Sequence, residues 1–318
     1  MRFYPFPTGL SILLMATVVS TAIFSGNTAE IVRAADPATK PTQEPAVAES
    51  PALARRRTLA EEIDLILDRA REMTDQVARL NHLATAVSEF RSKAAFNIVA
   101  VEQLTQAELA PKQAGSPEPA ANRLRDALRS VRDMLKFQPT MEAPLPEGFP
   151  EPMPVGEVGV KQYPAYRLAR AVDGNEGRAF NQLFQHIQRN NIEMTAPVEM
   201  TFEKTTAGEM RSLDMAFLYQ SRELGKPGED KSVKVLDVGP VTTIAIGCRG
   251  ATDRPRIAEA ERRLATWLEA NRDKFAAAGP IRMMGYNSPF VPVSLRYFEV
   301  EIPVKAVVPK PADGDKPD

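Results

Sequence analysis

Two stretches of this chain are written alike, and that likeness limits the fold more than any other feature. Val160 to Gly174 reads VKQYPAYRLARAVDG and Leu236 to Gly250 reads LDVGPVTTIAIGCRG, so that Pro164 matches Pro240, Leu168-Ala169 matches Ile244-Ala245, and Gly174 matches Gly250. Each copy has a proline near its start, tolerated at a strand edge because proline lacks an N–H donor, then a β-rich run, then a glycine to turn the chain. An amphipathic helix follows each glycine: Phe180, Leu183, Phe184 and Ile187 share one face in the first, and Ile257, Ala260, Leu264, Trp267 and Leu268 in the second. Two β-like stretches come next, 193–204 and 211–221 in the first copy, 281–291 and 293–304 in the second. Phe298, Val300 and Ile302 alternate with Glu299 and Glu301, as a strand with one buried face requires. The expected fold class is α+β: two βαββ repeats forming a distorted antiparallel β-barrel with two helices, and a cleft between helix and sheet suited to a ligand.

The rest of the 318 residues divides by composition. Leu10 to Phe24 is an uncharged apolar run of signal-peptide length, so residues 1–35 read as a signal peptide or an N-terminal anchor. The expected location is therefore exported, periplasmic or cell-surface, with a membrane tether through residues 10–24 if the segment is retained. Residues 36–57 have too little apolar content to order themselves and read as a linker. From Thr58 a heptad stripe runs through Leu59, Ile63, Ile66, Ala70, Met73, Val77, Leu80, Ala84 and Val87, with Thr58 and Glu61 placed as a capping box. After a break at 111–117, Leu124, Leu128, Val131 and Leu135 repeat the spacing. Residues 58–137 thus predict a helical hairpin or a coiled coil, whose stripe must meet a partner helix, another subunit or the C-terminal domain. A Pro-rich linker at 138–154, a folded domain at 155–305 and a tail at 306–318 complete the division.

Composition excludes several functions. The net charge is −1, so no global basic field draws in nucleic acid. A single cysteine, Cys248, rules out an internal disulfide and a cysteine-based zinc site, and only His82 and His186 are available as imidazoles. No nucleophile and base stand at a suggestive spacing, and the reading is a non-catalytic binder.

The first helix and the strand after it carry a recognisable string, Ala179 to Ile187 (AFNQLFQHI) and then Asn190 to Val198 (NNIEMTAPV). This resembles the SOUL/haem-binding protein family, whose helix has the form F-x-x-L-x-x-Y-I and whose next strand contains M-T-x-P-V. Tyr163-Pro164 resembles the family's opening strand, and Tyr286 to Phe290 with Arg296 and Glu299 resembles its closing Y-x-x-P and R-x-x-E region. The resemblance spans about half the chain and implies haem or another tetrapyrrole held against an apolar helix face. The architecture is also similar to drug-binding effector domains that take flat hydrophobic cations, so fold alone does not fix the ligand.

On that resemblance the candidate contacts are Phe180, Leu183, Phe184, His186, Ile187, Met194, Pro197 and Tyr286, with Arg178 and Arg189 placed to pair with propionates. His186 stands where the family often has tyrosine; it falls at the border of the apolar face, as a polar boundary residue or an axial iron ligand. Met194, Met200, Met283 and Met284 read as core filling, and Cys248 as a small apolar residue beside Ile244 and Ile246. Two other functions fit the sequence. One is an interaction protein whose helices recruit partners, further copies of itself among them, and whose domain binds no haem; the other is a hydrolase of flat hydrophobic compounds using Glu193 or Glu299 as base.

Overall fold

The computed structural model describes residues 50–113, 115–173 and 175–307. The expected signal or anchor segment, most of the linker at 36–57, nearly all of the tail and Gly174 lie outside the described residues.

The first helix, α1 (Pro51–Glu72), starts seven residues before the Thr58 box. Ser50 is its N-cap, accepting from Leu53 N at 3.2 Å, and Pro51 stands in the first turn, where its missing N–H costs nothing. The end of the expected linker is therefore helix. The heptad stripe does not run through one long helix either: the chain breaks at Met73, and Asp75 caps a second helix, α2 (Gln76–Lys93), by accepting from Val77 N and Ala78 N. Val77, in the first turn of α2, is left exposed. Asn97 then caps α3 (Ile98–Ala107), and a single turn, α4 (Ala110–Gln113), leads to α5 (Pro117–Lys136).

The stripe on α5 meets its partners inside the chain. Leu124, Leu128, Val131 and Leu135 are buried against α1, α2 and α3. Each of these leucine-sized side chains contributes about 1.5–3 kcal/mol by its burial toward holding the bundle. The same core continues into the C-terminal half, taking in Phe137, Val155, Tyr163, Tyr166, Leu168, Leu218, Met284 and Tyr297.

The C-terminal half is one large antiparallel sheet. Its strands are β1 (Val158–Tyr163), β2 (Tyr166–Ala171), β3 (Val198–Lys204), β4 (Met210–Leu218), β5 (Gly228–Asp230), β6 (Val233–Val238), β7 (Val241–Arg249), β8 (Phe275–Ala277), β9 (Ile281–Gly285) and β10 (Tyr297–Ala306). The paired path is β1-β7-β10-β9-β3-β4-β2-β6-β5, with β8 beside β10. The expected barrel is not closed: β1 pairs β7 and the three-residue β5 pairs only β6, so the two ends of the path do not join. Pro164 separates β1 from β2, and Pro240 separates β6 from β7; neither can donate to a ladder, so the sheet turns a corner at both places.

Helices α6 (Glu176–Arg189) and α7 (Arg254–Ala270) cover one face of this sheet through Leu183 and Ile187, and through Ile257, Ala260 and Leu264. Without a glycine at its end, α6 stops at Asn191, whose φ of 52° is left-handed, and Ile192 N closes the turn onto Ile187 O. The helical region and the segment after it cover the other face. Burial of both faces corrects the one-sided reading of β10: Glu299 and Glu301 are as fully enclosed as Phe298 and Val300.

Candidate functional site

The apolar face of α6 gathers most of the expected contacts and packs Leu183 and Ile187 against the sheet, with Phe184 half-buried and Phe180 exposed at its edge. Phe180 stacks on Phe184 with ring centroids 6.2 Å apart and meets Phe217 edge-on at 5.1 Å, while Leu183, Ile187 and half-buried Met194 pack in the same core. Pro197, after a cis peptide bond, is buried; Tyr286 lies in the core on the opposite face of the sheet. Arg178 is exposed and paired with Asp173 at 3.1 Å. These residues do not converge on one cavity.

His186 is buried, not at a border. Its Nδ1 lies 2.5 Å from Asp230 Oδ2, and its Nε2 lies 2.7 Å from the Tyr219 hydroxyl. Asp230 also accepts from Arg189 at 3.1 Å and from Asn190 at 3.2 Å. Both ring nitrogens are engaged, so neither is directed at an iron, and Arg189 is turned to the same carboxylate. The acid comes from β5, 44 residues away, which is why helical spacing alone placed the imidazole at the edge. Burial pushes the Tyr219 phenol up to about 12, and the hydrogen bonds from His186 and Arg189 pull Asp230 down to about 2.

A depressed acid stabilises the folded chain fully above its unfolded value and loses that contribution as pH falls through its folded value. The stability difference between the chain and Asp230→Asn is therefore expected to be constant above pH 3.8 and to vanish as the pH approaches about 2. Urea unfolding of both proteins from pH 6 to pH 2 checks this; a difference that disappears already at pH 5 contradicts it.

On the opposite face lies a buried ionic cluster. Lys161 Nζ donates to Glu299 at 2.7 and 3.0 Å, and the Tyr286 hydroxyl donates to the same carboxylate at 2.5 Å. Next to it, Arg282 donates to Glu301 at 2.9 Å and lies 3.5 Å from Glu199; the Tyr163 hydroxyl bonds Glu301, and the Tyr166 hydroxyl bonds Glu199 at 3.2 Å. Desolvation raises the Glu299 carboxyl against the opposing pull of Lys161. The segment between α5 and β1 seals the cluster. Phe149 sets its ring edge-on to Tyr163 at 4.9 Å and to Tyr166 at 5.2 Å; Met153 N donates to Glu299 at 2.6 Å, and Met153 O accepts from Tyr297 at 2.5 Å. Glu299 thus faces its own chain and Glu193 faces solvent, so neither carboxylate suggested as a base lines a cavity.

A cavity of about 700 Å³ lies elsewhere, between α3, α5, β7 and α7. Its apolar lining includes Val99, Met134, Val155 and Phe298, and its charged lining is four arginines, Arg129, Arg249, Arg256 and Arg263, with three carboxylates, Asp126, Asp133 and Glu259. Arg263 is neutralised by Glu102 at 2.8 Å and Glu259 at 2.6 Å; Arg129 and Arg256 have looser partners, Asp126 at 3.6 Å and Asp253 at 3.7 Å. Cys248 also lines it; burial pushes its thiol up to about 12, so it stands there as a neutral group. The walls come from both halves of the chain, and no local motif announces them. Gly247 is the one readable trace: a β-carbon there would lie 2.6 Å from Pro154 O, so the strand needs glycine for the segment to reach it. Among the described residues no group of histidine, cysteine, aspartate and glutamate is arranged to hold a metal ion.

Residues 154–303 match the family described as SOUL heme-binding protein. No curated protein matches the chain. Among solved structures, the C-terminal domain of EcmrR is similar at 13% identity over 48% of this chain and 98% of its own, with a TM-score of 0.39. A hydrolase from Listeria innocua is similar at 11% identity over 49% of this chain and 94% of its own, with a TM-score of 0.36. The structure of SAV2435 bound to tetraphenylphosphonium is similar at 12% identity, over 47% and 94%, with a TM-score of 0.30. Through residues 154–303, which carry the string at Ala179 to Val198 and the closing strand at β10, the C-terminal half of this chain belongs to the SOUL heme-binding protein family.

Proposed function

We propose that the chain binds haem or another flat tetrapyrrole, without chemistry on it, in the cavity between α3, α5, β7 and α7. One observation carries this reading: a space of about 700 Å³, within the range of small-molecule sites, has apolar side chains and arginines in the same wall. A porphyrin is apolar across its ring and anionic at its propionates, and that wall offers a surface for each. Val99, Met134 and Phe298 would hold the ring, and Arg129 and Arg256 the propionates. Iron would be held without a protein ligand, since His186 is engaged at both nitrogens and Cys248 is protonated.

Haemin titrated into the chain is expected to give a saturable Soret shift in the micromolar range, and iron-free protoporphyrin to bind within a few-fold of it. Arg129→Ala and Arg256→Ala should each weaken haemin by roughly tenfold, the worth of one charge-assisted hydrogen bond. His186→Ala should leave the spectrum unchanged. A Soret band that depends on His186, or no saturable shift, sinks the proposal.

The absence of a shift would favour the second reading, an interaction protein without haem. That reading is supported by the way both α6 and the ionic cluster are closed off by the chain's own residues. The remaining readings are proposals on the same footing. The apolar run Leu10–Phe24 supports export, and a tether if it is retained. The match of β1-β7 with β6-β2, and of β3-β4 with β9-β10, supports two βαββ halves about an approximate twofold.

A further inference from the structure

The loop joining β9 to β10 (residues 286–296) presents apolar side chains to solvent on a backbone that hardly needs water. Phe290 is 74% exposed, Val293 48% and Leu295 46%, with exposed Pro289 just before Phe290 and exposed Pro292 just before Val293. Exposed apolar loops are ordinarily mobile, with carbonyls bonded to solvent. Here Arg296 donates to Val291 O at 2.7 Å and to Pro289 O at 2.6 Å, and Arg249 to Ser294 O at 2.5 Å. Ser288 O, Pro292 O and Val293 O accept from Val291 N, Leu295 N and Arg296 N. Of the seven carbonyls from Ser288 to Ser294, all but that of Phe290 therefore have a named partner within the protein. The prolines remove two of the donors that would otherwise need partners, and Phe290 N donates to Ser288 Oγ at 3.3 Å. The base of the loop is fixed by Glu142 on Ser288 and by Asn287 on Thr140 O.

With most of its carbonyls bonded within the protein, the loop gives up little hydrogen bonding to water when it approaches a less polar medium, and Phe290 O, Val293 N and Ser294 N are the backbone groups left to interfacial water. The two guanidiniums behind the apolar tip have no carboxylate partner among the described residues; Arg249 rests over the Phe137 ring at 4.6 Å and otherwise serves loop carbonyls, as Arg296 does. Apolar side chains ahead of unpaired cations match an anionic lipid surface, acyl region first and headgroups behind. Three exposed side chains cannot supply the roughly 800 Å² per partner of a stable protein interface. We propose that the β9–β10 loop is a membrane-contact element, which dips Phe290, Val293 and Leu295 into the interfacial region of an anionic bilayer and sets Arg249 and Arg296 against its headgroups. Arg249 also lines the cavity proposed for the tetrapyrrole, so the test leaves it unchanged and alters only residues outside that cavity.

The test puts a reporter at the tip. Phe290→Trp in the full chain is mixed with phosphatidylglycerol–phosphatidylcholine vesicles, with the parent chain and its Trp267 as the baseline. Emission from position 290 is expected to shift blue and to be quenched by brominated acyl chains, with the effect falling as salt rises. Val293→Ser and Leu295→Ser added to that variant should raise the lipid needed for half-saturation by about tenfold, with the melting temperature and haemin titration unchanged. Because the apolar run at 10–24 could bring the chain to vesicles by itself, flotation alone is not the readout. A chain that floats while position 290 is neither shifted nor quenched, or one that does not bind vesicles, overturns the proposal.

Discussion

Lys161→Met is expected to destabilise the chain by about 3–5 kcal/mol at neutral pH, because it leaves the Glu299 carboxylate buried without its cation. Lys161 and Glu299 are both almost completely enclosed, so no solvent reaches the pair to screen the loss. The Tyr286 hydroxyl and Met153 N would still donate to the carboxylate, but they are neutral groups. The loss should shrink as pH falls. Desolvation already raises the Glu299 carboxyl, and removing Lys161 takes away the main opposing influence, so the variant's Glu299 should take up a proton above the ordinary carboxylate range. A folded-state value raised in this way favours folding at low pH and costs stability as pH rises through it. Urea midpoints of both proteins at pH 7.5 and pH 5 check the sign: a deficit equal at the two values refutes the assignment. Lys161→Met combined with Glu299→Leu should recover much of the loss, since replacing both members of a buried pair with apolar groups is often neutral.

The second large effect separates two glycines with similar surroundings. A β-carbon at Gly247 would sit 2.6 Å from Pro154 O, and one at Gly159 would sit 2.6 Å from Met153 Cε. The first neighbour is backbone, pinned where Gly156 N donates to Gly247 O at 2.8 Å; the second is the free end of a flexible side chain. Gly247→Ala should therefore cost about 3 kcal/mol, the upper range of overpacking, and Gly159→Ala less than about 1.5 kcal/mol. Gly247→Ala should also weaken haemin, because Gly247 and Val155 both line the cavity. Equal midpoints for the two variants would show that residues 153–156 adjust freely and are not held against β7.

Legibility in the sequence followed the range over which each feature is determined. The stripe Leu124, Leu128, Val131 and Leu135 and the faces of α6 and α7 are set by spacing within one helix; the stripe is buried, as are Leu183 and Ile187 on α6 and Ile257, Ala260 and Leu264 on α7, while Phe184, Trp267 and Leu268 are half-buried and Phe180 stays exposed. The start of α1 was written locally too, in Ser50-Pro51, but the box at Thr58 and Glu61 offered a competing signal in the same language. Glu299 and Glu301 could not be read correctly from β10 alone. Alternation reports two unlike faces, not which of them is covered, and the cover is supplied by residues up to 146 positions away. His186 failed for the same reason, since its carboxylate sits on another strand. The cavity is built from both halves of the chain, and its only local trace was a glycine in a strand.

Helices and sheet share an apolar interior, and the described residues belong to one compact unit. The limits of the family match, 154 and 303, are thus not limits of stability. Cutting there would strip the cover from Tyr163, Tyr166, Leu168 and Tyr297 and leave a greasy sheet open to water. An expression fragment trimmed to those limits should aggregate, whereas one beginning near Ser50 should melt in a single cooperative step.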